Sequence, residues 1–358
     1  MVNDRCCEGH PVVAEKMIQH TGFWTLFIIP YGDGKSIILG TKFGLKNNLI
    51  IVNAETEEIP LLSHDPRVTK CEEVPVEFPP QYQPGQPGLE YLMIPRPVSE
   101  PPGIASSGKL QNKVAIITGG DSGIGRAVAY LFAREGADIA IVYLNEHEDA
   151  SETQERVRQL GRSCLTIAGD IGDEQFCREV VAYTLSRFGR VDILINNAAE
   201  LIYEEDIANL ASEQLLRLFQ TNVFACFYFI KAVLPYLKPG SAIINTSSIA
   251  ADTGYPAMAS YSASKGAVSA LTRSLAVSLA DRGIRVNAVA PGRTWTPLIP
   301  ASLPPEFYMF YGSYHNPGPI KKAAQPYEIA PIYLYLASEE SRYVIGQTIH
   351  VNGGEYLG

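Results

Sequence analysis

The chain has 358 residues, 46% of them hydrophobic and 19% charged, with a formal net charge of −9. That balance is enough to bury a sizeable core and excludes global disorder, and an acidic excess with no long basic run argues against a nucleic-acid partner. The longest early apolar run, Phe23 to Pro30, is too short to cross a bilayer and lacks the flanks of a signal peptide, so no membrane partner and a cytoplasmic location are expected.

Residues 1–77 read as an N-terminal appendage. Short strands are expected at Trp24–Ile29, Ser36–Leu39 and Leu49–Val52, with a turn at Tyr31-Gly32-Asp33-Gly34 between the first two. The six cysteines form no CxxC pair and no Cys/His cluster, which predicts reduced thiols and no metal site. Nine prolines between Pro75 and Pro102 rule out a helix or central strand there. Residues 78–108 are therefore expected to be an extended arm, laid on a surface through Tyr82, Leu89, Tyr91, Leu92, Met93 and Ile94.

From residue 109 to 358 strands and helices alternate. Strands are expected at Val114–Thr118, Ile139–Tyr143, Ser163–Ala168, Ile193–Ile195, Ala242–Thr246, Arg285–Ala290 and Thr348–Val351. Helices are expected near 123–136, 147–160, 174–188, 212–236, 259–281 and 326–337. The first strands are continuous apolar runs, as parallel strands covered on both faces must be. The fold class is α/β, a doubly wound parallel sheet of about seven strands in a Rossmann-type arrangement.

Two motifs carry chemistry. Thr118-Gly119-Gly120-Asp121-Ser122-Gly123-Ile124-Gly125 joins the first strand to the first helix. Glycines 119, 123 and 125 free the backbone to turn tightly against a pyrophosphate, which the helix N-terminus then attracts. Tyr261 and Lys265 are four residues apart on one helix face. A phenol is a poor acid–base catalyst at neutral pH, and a nearby ammonium is expected to lower its pKa. The residue that would read the ribose 2′-hydroxyl falls at Tyr143, where no acid stands. This tilts the cofactor expectation to NADP over NAD. Arg126, just past the glycine turn, is either a 2′-phosphate contact or a solvated first-turn residue.

The GxxxGxG spacing with Tyr-x-x-x-Lys resembles the short-chain dehydrogenase/reductase family. Asn196-Asn197-Ala198-Ala199 resembles that family's NNAG stretch, with Ala199 in place of glycine, and Pro291 to Thr296 resembles its PGxxxT segment. Phe78-Pro79-Pro80-Gln81, the GGDSGIG turn and Trp295 to Pro300 are similar to the glucose/ribitol dehydrogenase-like, general-stress branch, in which Arg293 would be proline. The resemblance implies a catalytic set of Asn222, Ser248, Tyr261 and Lys265. Tyr261 would be the general acid/base, Ser248 would polarise the substrate oxygen, and Asn222 would hold a water relaying protons from Lys265. It also implies cofactor contacts from Asp121, Ser122, Ile124, Tyr143, Asp170, Ile171, Asn197, Ala198, Pro291, Gly292 and Thr294, besides the glycines, Tyr261 and Lys265.

The expected activity is hydride transfer between NAD(P)(H) and a small aldehyde, ketone, sugar or polyol. Reduction of a 3-oxoacyl thioester and non-catalytic dinucleotide sensing are the alternatives. A homotetramer or homodimer joined through helices 212–236 and 259–281 is implied as well.

Overall fold

The structure, a computed structural model, describes the backbone of 24–31, 35–42, 62–63 and 74–75, and residues 78–101, 103, 105–311 and 318–358, of which 308–310 as backbone. The chain divides into two compact units, Met1–Pro60 with Val68–Glu72 and Leu61–Arg67 with Glu73–Gly358. In the first, Trp24–Tyr31 pairs antiparallel with Lys35–Lys42, Trp24 opposite Lys42. The expected turn at Gly32-Asp33-Gly34 and the expected strand at Leu49–Val52 lie outside the described residues.

The second unit is built on seven parallel strands: β1 (Val114–Thr118), β2 (Asp138–Tyr143), β3 (Cys164–Ala168), β4 (Ile193–Asn196), β5 (Ala242–Thr246), β6 (Arg285–Pro291) and β7 (Thr348–Val351). Their order across the sheet is β3-β2-β1-β4-β5-β6-β7. Each lies within one residue of its predicted bounds. The strands are apolar on both faces because both faces are covered. Ile117 packs into one core beside Phe132 and Tyr333, while its neighbour Ile116 packs into the opposite core beside Phe229 and Val268.

The first core is capped by α1 (Gly123–Arg134), with α2 (His147–Gln159) beside it, and by α7 (Pro326–Ala337). The second is capped by α3 (Glu174–Phe188), α5 (Ala225–Val233) and α6 (Ala259–Leu279). The predicted helix 212–236 carries a π-helical turn within it. It runs as α4 (Ser212–Phe219), a π-helical turn at Gln220–Phe224, then α5. No helix among the described residues is long and apolar enough to cross a membrane.

Strand order reverses between β1 and β4, where Ile117 faces Ile195. Crossovers leave to opposite faces there and open a crevice at the strands' carboxyl ends.

The proline-rich arm crosses that end. Proline has no N–H to lend to a sheet ladder, so the arm is held mainly by side chains. Phe78 stacks on Trp295 with ring centroids 4.3 Å apart. The Gln86 amide grips the Leu201 backbone twice, donating to its carbonyl (2.7 Å) and accepting from its N–H (3.0 Å). Asp149 accepts from the N–H groups of Glu90 (2.7 Å) and Tyr91 (3.2 Å), and the Trp295 indole donates to Pro95 O (2.8 Å).

Candidate active site

The crevice holds a cavity of about 510 Å³, within the range of cofactor and ligand sites. It begins at the glycine turn. Gly119 and Gly123 have φ of +62° and +52°, a conformation that a side chain strains. A Cβ on Gly125 would sit 1.9 Å from the Gly119 carbonyl oxygen, so only glycine lets helix α1 start this close to β1. The turn is braced from β4. The Thr118 hydroxyl accepts from the N–H groups of Asn197 (2.9 Å) and Ala198 (3.1 Å), and the Asn197 amide returns donors to the carbonyls of Thr118 (3.1 Å) and Gly119 (3.2 Å).

Charge at this end is arranged by burial. Asp121 is 4% exposed, and desolvation, reinforced by the neighbouring Glu146 carboxylate, pushes its pKa up to about 7. Arg126 is neither solvated nor a 2′-phosphate contact. It is 2% exposed and pairs with Glu90 (2.7 Å) and Asp149 (3.1 Å), while its Nε donates to the Asp121 carbonyl (2.7 Å). The arm supplies Glu90, so the tie comes from outside the dinucleotide motif. Tyr143 lines the cavity with its hydroxyl 3.0 Å from His147 Nδ1. Asp170 accepts from Gly172 N–H (2.8 Å) and pairs with Arg217.

The other end is built on α6. Tyr261 and Lys265 lie one turn apart, both buried, and Lys265 Nζ stands 5.7 Å from the Tyr261 ring centre. Its donor goes to the Thr246 carbonyl at the end of β5 (2.8 Å). Ser248, just past β5, accepts from Ala250 N–H (3.1 Å) and lines the cavity together with Tyr261. Asn222 sits in the π-helical turn and grips residue 200 twice, accepting from Glu200 N–H (2.8 Å) and donating to its carbonyl (2.9 Å). Its second amide hydrogen goes to Ser264 Oγ (3.1 Å), which donates to the Tyr261 carbonyl (2.7 Å). Both amide hydrogens of the Asn222 side chain are thus taken by protein acceptors.

One electrostatic expectation is reversed. Tyr261 is pushed up to about 12 by burial, with only the neighbouring Ser248 hydroxyl opposing. Lys265 is held down to about 8, also by burial. Burial sets the direction of both shifts, and the ammonium is directed at Thr246 O.

A dinucleotide fits this cavity. The glycine turn brings the α1 N-terminus to it, where the Ser122 hydroxyl makes no helix-capping bond and the Gly123 N–H is held by Glu90. Proteins of known sequence and structure bear on what the crevice is. The family model described as enoyl-(acyl carrier protein) reductase matches residues 119–355. General stress protein 39 of Bacillus subtilis is 53% identical over 283 residues, covering 79% of this chain and 98% of that protein. The chain belongs to the short-chain dehydrogenase/reductase family. Glucose and ribitol dehydrogenase of Daucus carota is 46% identical over 284 residues, 78% of this chain and 97% of that one. A short-chain dehydrogenase from Burkholderia cenocepacia J2315, solved in complex with NADP, is 30% identical with a TM-score of 0.64, covering 69% of this chain and 99% of that one.

Within this short-chain dehydrogenase/reductase crevice, Gly119, Asp121, Ser122, Gly123, Ile124, Tyr143, Asp170, Ile171, Asn197, Ala198, Ser248, Tyr261, Lys265, Pro291, Gly292 and Thr294 all line the one cavity. Gly125 and Asn222 do not. Gly125 backs the turn, and Asn222 braces α6 from behind. Sequence reasoning missed Glu146, Tyr203, Arg217, Tyr255 and Met258, and the arm residues Pro87 and Gly88, which also line it. The signal at Gly88 was its place in a Pro-rich stretch. A Cβ there would sit 2.2 Å from the Pro297 carbonyl oxygen, so at Gly88 the arm must touch Pro297 through backbone alone.

Proposed function

We propose that this short-chain dehydrogenase/reductase transfers a hydride between NADP(H) and a small aldehyde, ketone, sugar or polyol. The observation that carries the reading is the buried Tyr261 phenol, with Ser248 beside it on the cavity wall and Lys265 one turn on, in the cavity that begins at the glycine turn. The NADP complex of the Burkholderia relative and the substrate named for the carrot relative support the cofactor and the substrate class. When bound, the dinucleotide supplies or accepts the hydride.

In the reducing direction Tyr261 Oη gives its proton to the carbonyl oxygen, and Ser248 Oγ hydrogen-bonds the same oxygen as negative charge develops on it. With its pKa near 12, Tyr261 carries that proton at all physiological pH values. Lys265, an ammonium below about pH 8, stabilises the phenolate left behind. The Asn222 clamp on Ser264 fixes the first turn of α6, and so fixes where the phenol points. We extend the proposal to a homotetramer or homodimer through the outer faces of α4, α5 and α6, where Leu216, Phe227 and Val277 are exposed.

The test is absorbance at 340 nm over a carbonyl panel, wild type against Tyr261→Phe. Loss of about 10²–10⁴-fold in turnover with cofactor binding retained is expected. Equal turnover by the variant would overturn the role of Tyr261, and tight cofactor binding with no turnover of any carbonyl would favour a sensor.

A further inference from the structure

We propose that Arg293 anchors an anionic group on the substrate, so that the site selects small carbonyl compounds carrying a carboxylate or phosphate. This rests on the hydride-transfer reading of the same cavity. Three cations line the cavity among the described residues: Arg217, Lys265 and Arg293. Arg217 is taken by two carboxylates, Asp170 and Glu200. Lys265 lies beside Tyr261 and is tied to Thr246 O. Arg293 differs from both.

Its Nη2 makes one ion-pair contact, 3.2 Å to Glu355 Oε1, and that oxygen already accepts from the Tyr255 hydroxyl at 2.5 Å. Its Nη1 is buried with no hydrogen-bond partner among the described residues. The guanidinium lies 5.8 Å from the Tyr255 ring centre, and Tyr255 itself lines the cavity. An unpaired donor on a planar guanidinium matches a carboxylate or phosphate oxygen, which the fork can take in bidentate fashion. Leaving such a donor buried and unmade is costly unless a ligand completes it.

Placement agrees. Arg293 follows β6 in the Pro291–Thr294 stretch that lines the cavity, on the wall shared with Tyr255 and Tyr311. The buried Tyr311 phenol feels the fields of both Arg293 and Tyr261, so the guanidinium and the proposed acid serve one chamber. The four carboxylates lining the cavity are Asp121, Glu146, Asp170 and Glu200. The first three follow β1, β2 and β3, and Glu200 is held by Arg217. The carboxylate an incoming anion has to displace from Arg293 is Glu355.

The experiment compares matched pairs with the full chain and NADPH: succinate semialdehyde against butanal, and glyceraldehyde 3-phosphate against glyceraldehyde. Wild type should favour the charged member of at least one pair by about tenfold or more in kcat/KM, and Arg293→Met should collapse that ratio toward one by raising KM. Succinate should compete with butanal in wild type and not in Arg293→Met. Glu355→Gln, which keeps the guanidinium and removes its competitor, should lower KM for the charged member, and it carries the test if Arg293→Met folds poorly. No preference for either charged member, or a ratio unchanged by Arg293→Met, overturns the proposal. Neutral aldehydes reduced through Tyr261 with no gain from charge would sink only the anion anchor. Turnover indifferent to Tyr261→Phe would sink the hydride-transfer reading beneath it.

Discussion

Glu90, on the proline-rich arm, accepts a 2.6 Å hydrogen bond from the backbone N–H of Gly123, the first residue of α1. Its other oxygen takes Arg126 Nη1 at 2.7 Å. One carboxylate, 1% exposed, thus joins the arm to the helix start on which the cofactor's phosphates would rest. Replacing Glu90 by alanine leaves the buried Arg126 with Asp149 and Glu152 as its only carboxylate partners and removes one of the arm's ties. A loss of about 2–4 kcal/mol is expected, with weaker cofactor binding, and a smaller loss for Glu90→Gln. Urea unfolding and cofactor titration measure the two effects. An unchanged midpoint would show that the Glu90 tie adds nothing to the stability of the fold.

Lys265 supplies a pH prediction. Burial lowers its pKa from the ordinary 10.5 to about 8, so the ammonium is present below that pH and is lost as pH rises through it. Tyr261 keeps its proton up to about 12, so it is a competent acid throughout. Carbonyl reduction should therefore decline above about pH 8, when no cation remains to stabilise the phenolate. Lys265→Met should be slower by about 10²-fold and should lose this inflection. A wild-type rate that stays flat between about pH 6 and 10 would contradict the assignment of charge to Lys265.

Asn222 makes three hydrogen bonds, two to the backbone of Glu200 and one to Ser264. Asn222→Ala leaves buried partners unsatisfied and should cost about 1–3 kcal/mol. Because Ser264 holds the turn that carries Tyr261, kcat should fall more than KM rises. Asn222→Asp, which keeps the acceptor for Glu200 N–H but sets a buried acceptor against the Glu200 carbonyl, should recover none of the stability. A variant that loses stability with kcat intact would reduce Asn222 to packing.

What the sequence made legible follows from the range of each interaction. The seven strands could be read because residues such as Ile116 and Ile117 are apolar for two different cores, a pattern local to the strand. The glycine turn and the Tyr261–Lys265 pair were readable for the same reason. The π-helical turn at Asn222 was not, since adding one residue to a helical turn hardly disturbs the periodicity of 212–236. The burial of Arg126 was not readable either, because its main partner, Glu90, lies 36 residues upstream in a stretch with no periodic signal. Spacing placed Lys265 beside Tyr261 correctly, but the direction of both pKa shifts depends on burial, which spacing does not report.

Asp121 offers a test of that burial through stability alone. Its carboxyl titrates near 3.8 in an unfolded chain and near 7 in the fold, chiefly because it is desolvated and then because Glu146 is close. Between these values the folded chain holds a proton that the unfolded chain has released. Stability should therefore fall as pH rises from about 4 to 7 and level off above. The linkage limit for three units is about 4 kcal/mol, and a realised change of about 1–2 kcal/mol is expected once local relaxation is allowed. Asp121→Asn keeps the shape without the titration, so its urea midpoint should gain on that of wild type as pH rises from about 4 to 7. Parallel profiles for the two proteins from about pH 5 to 8 would mean that Asp121 is solvated in solution, and that this end of the cavity is more open than the fold indicates.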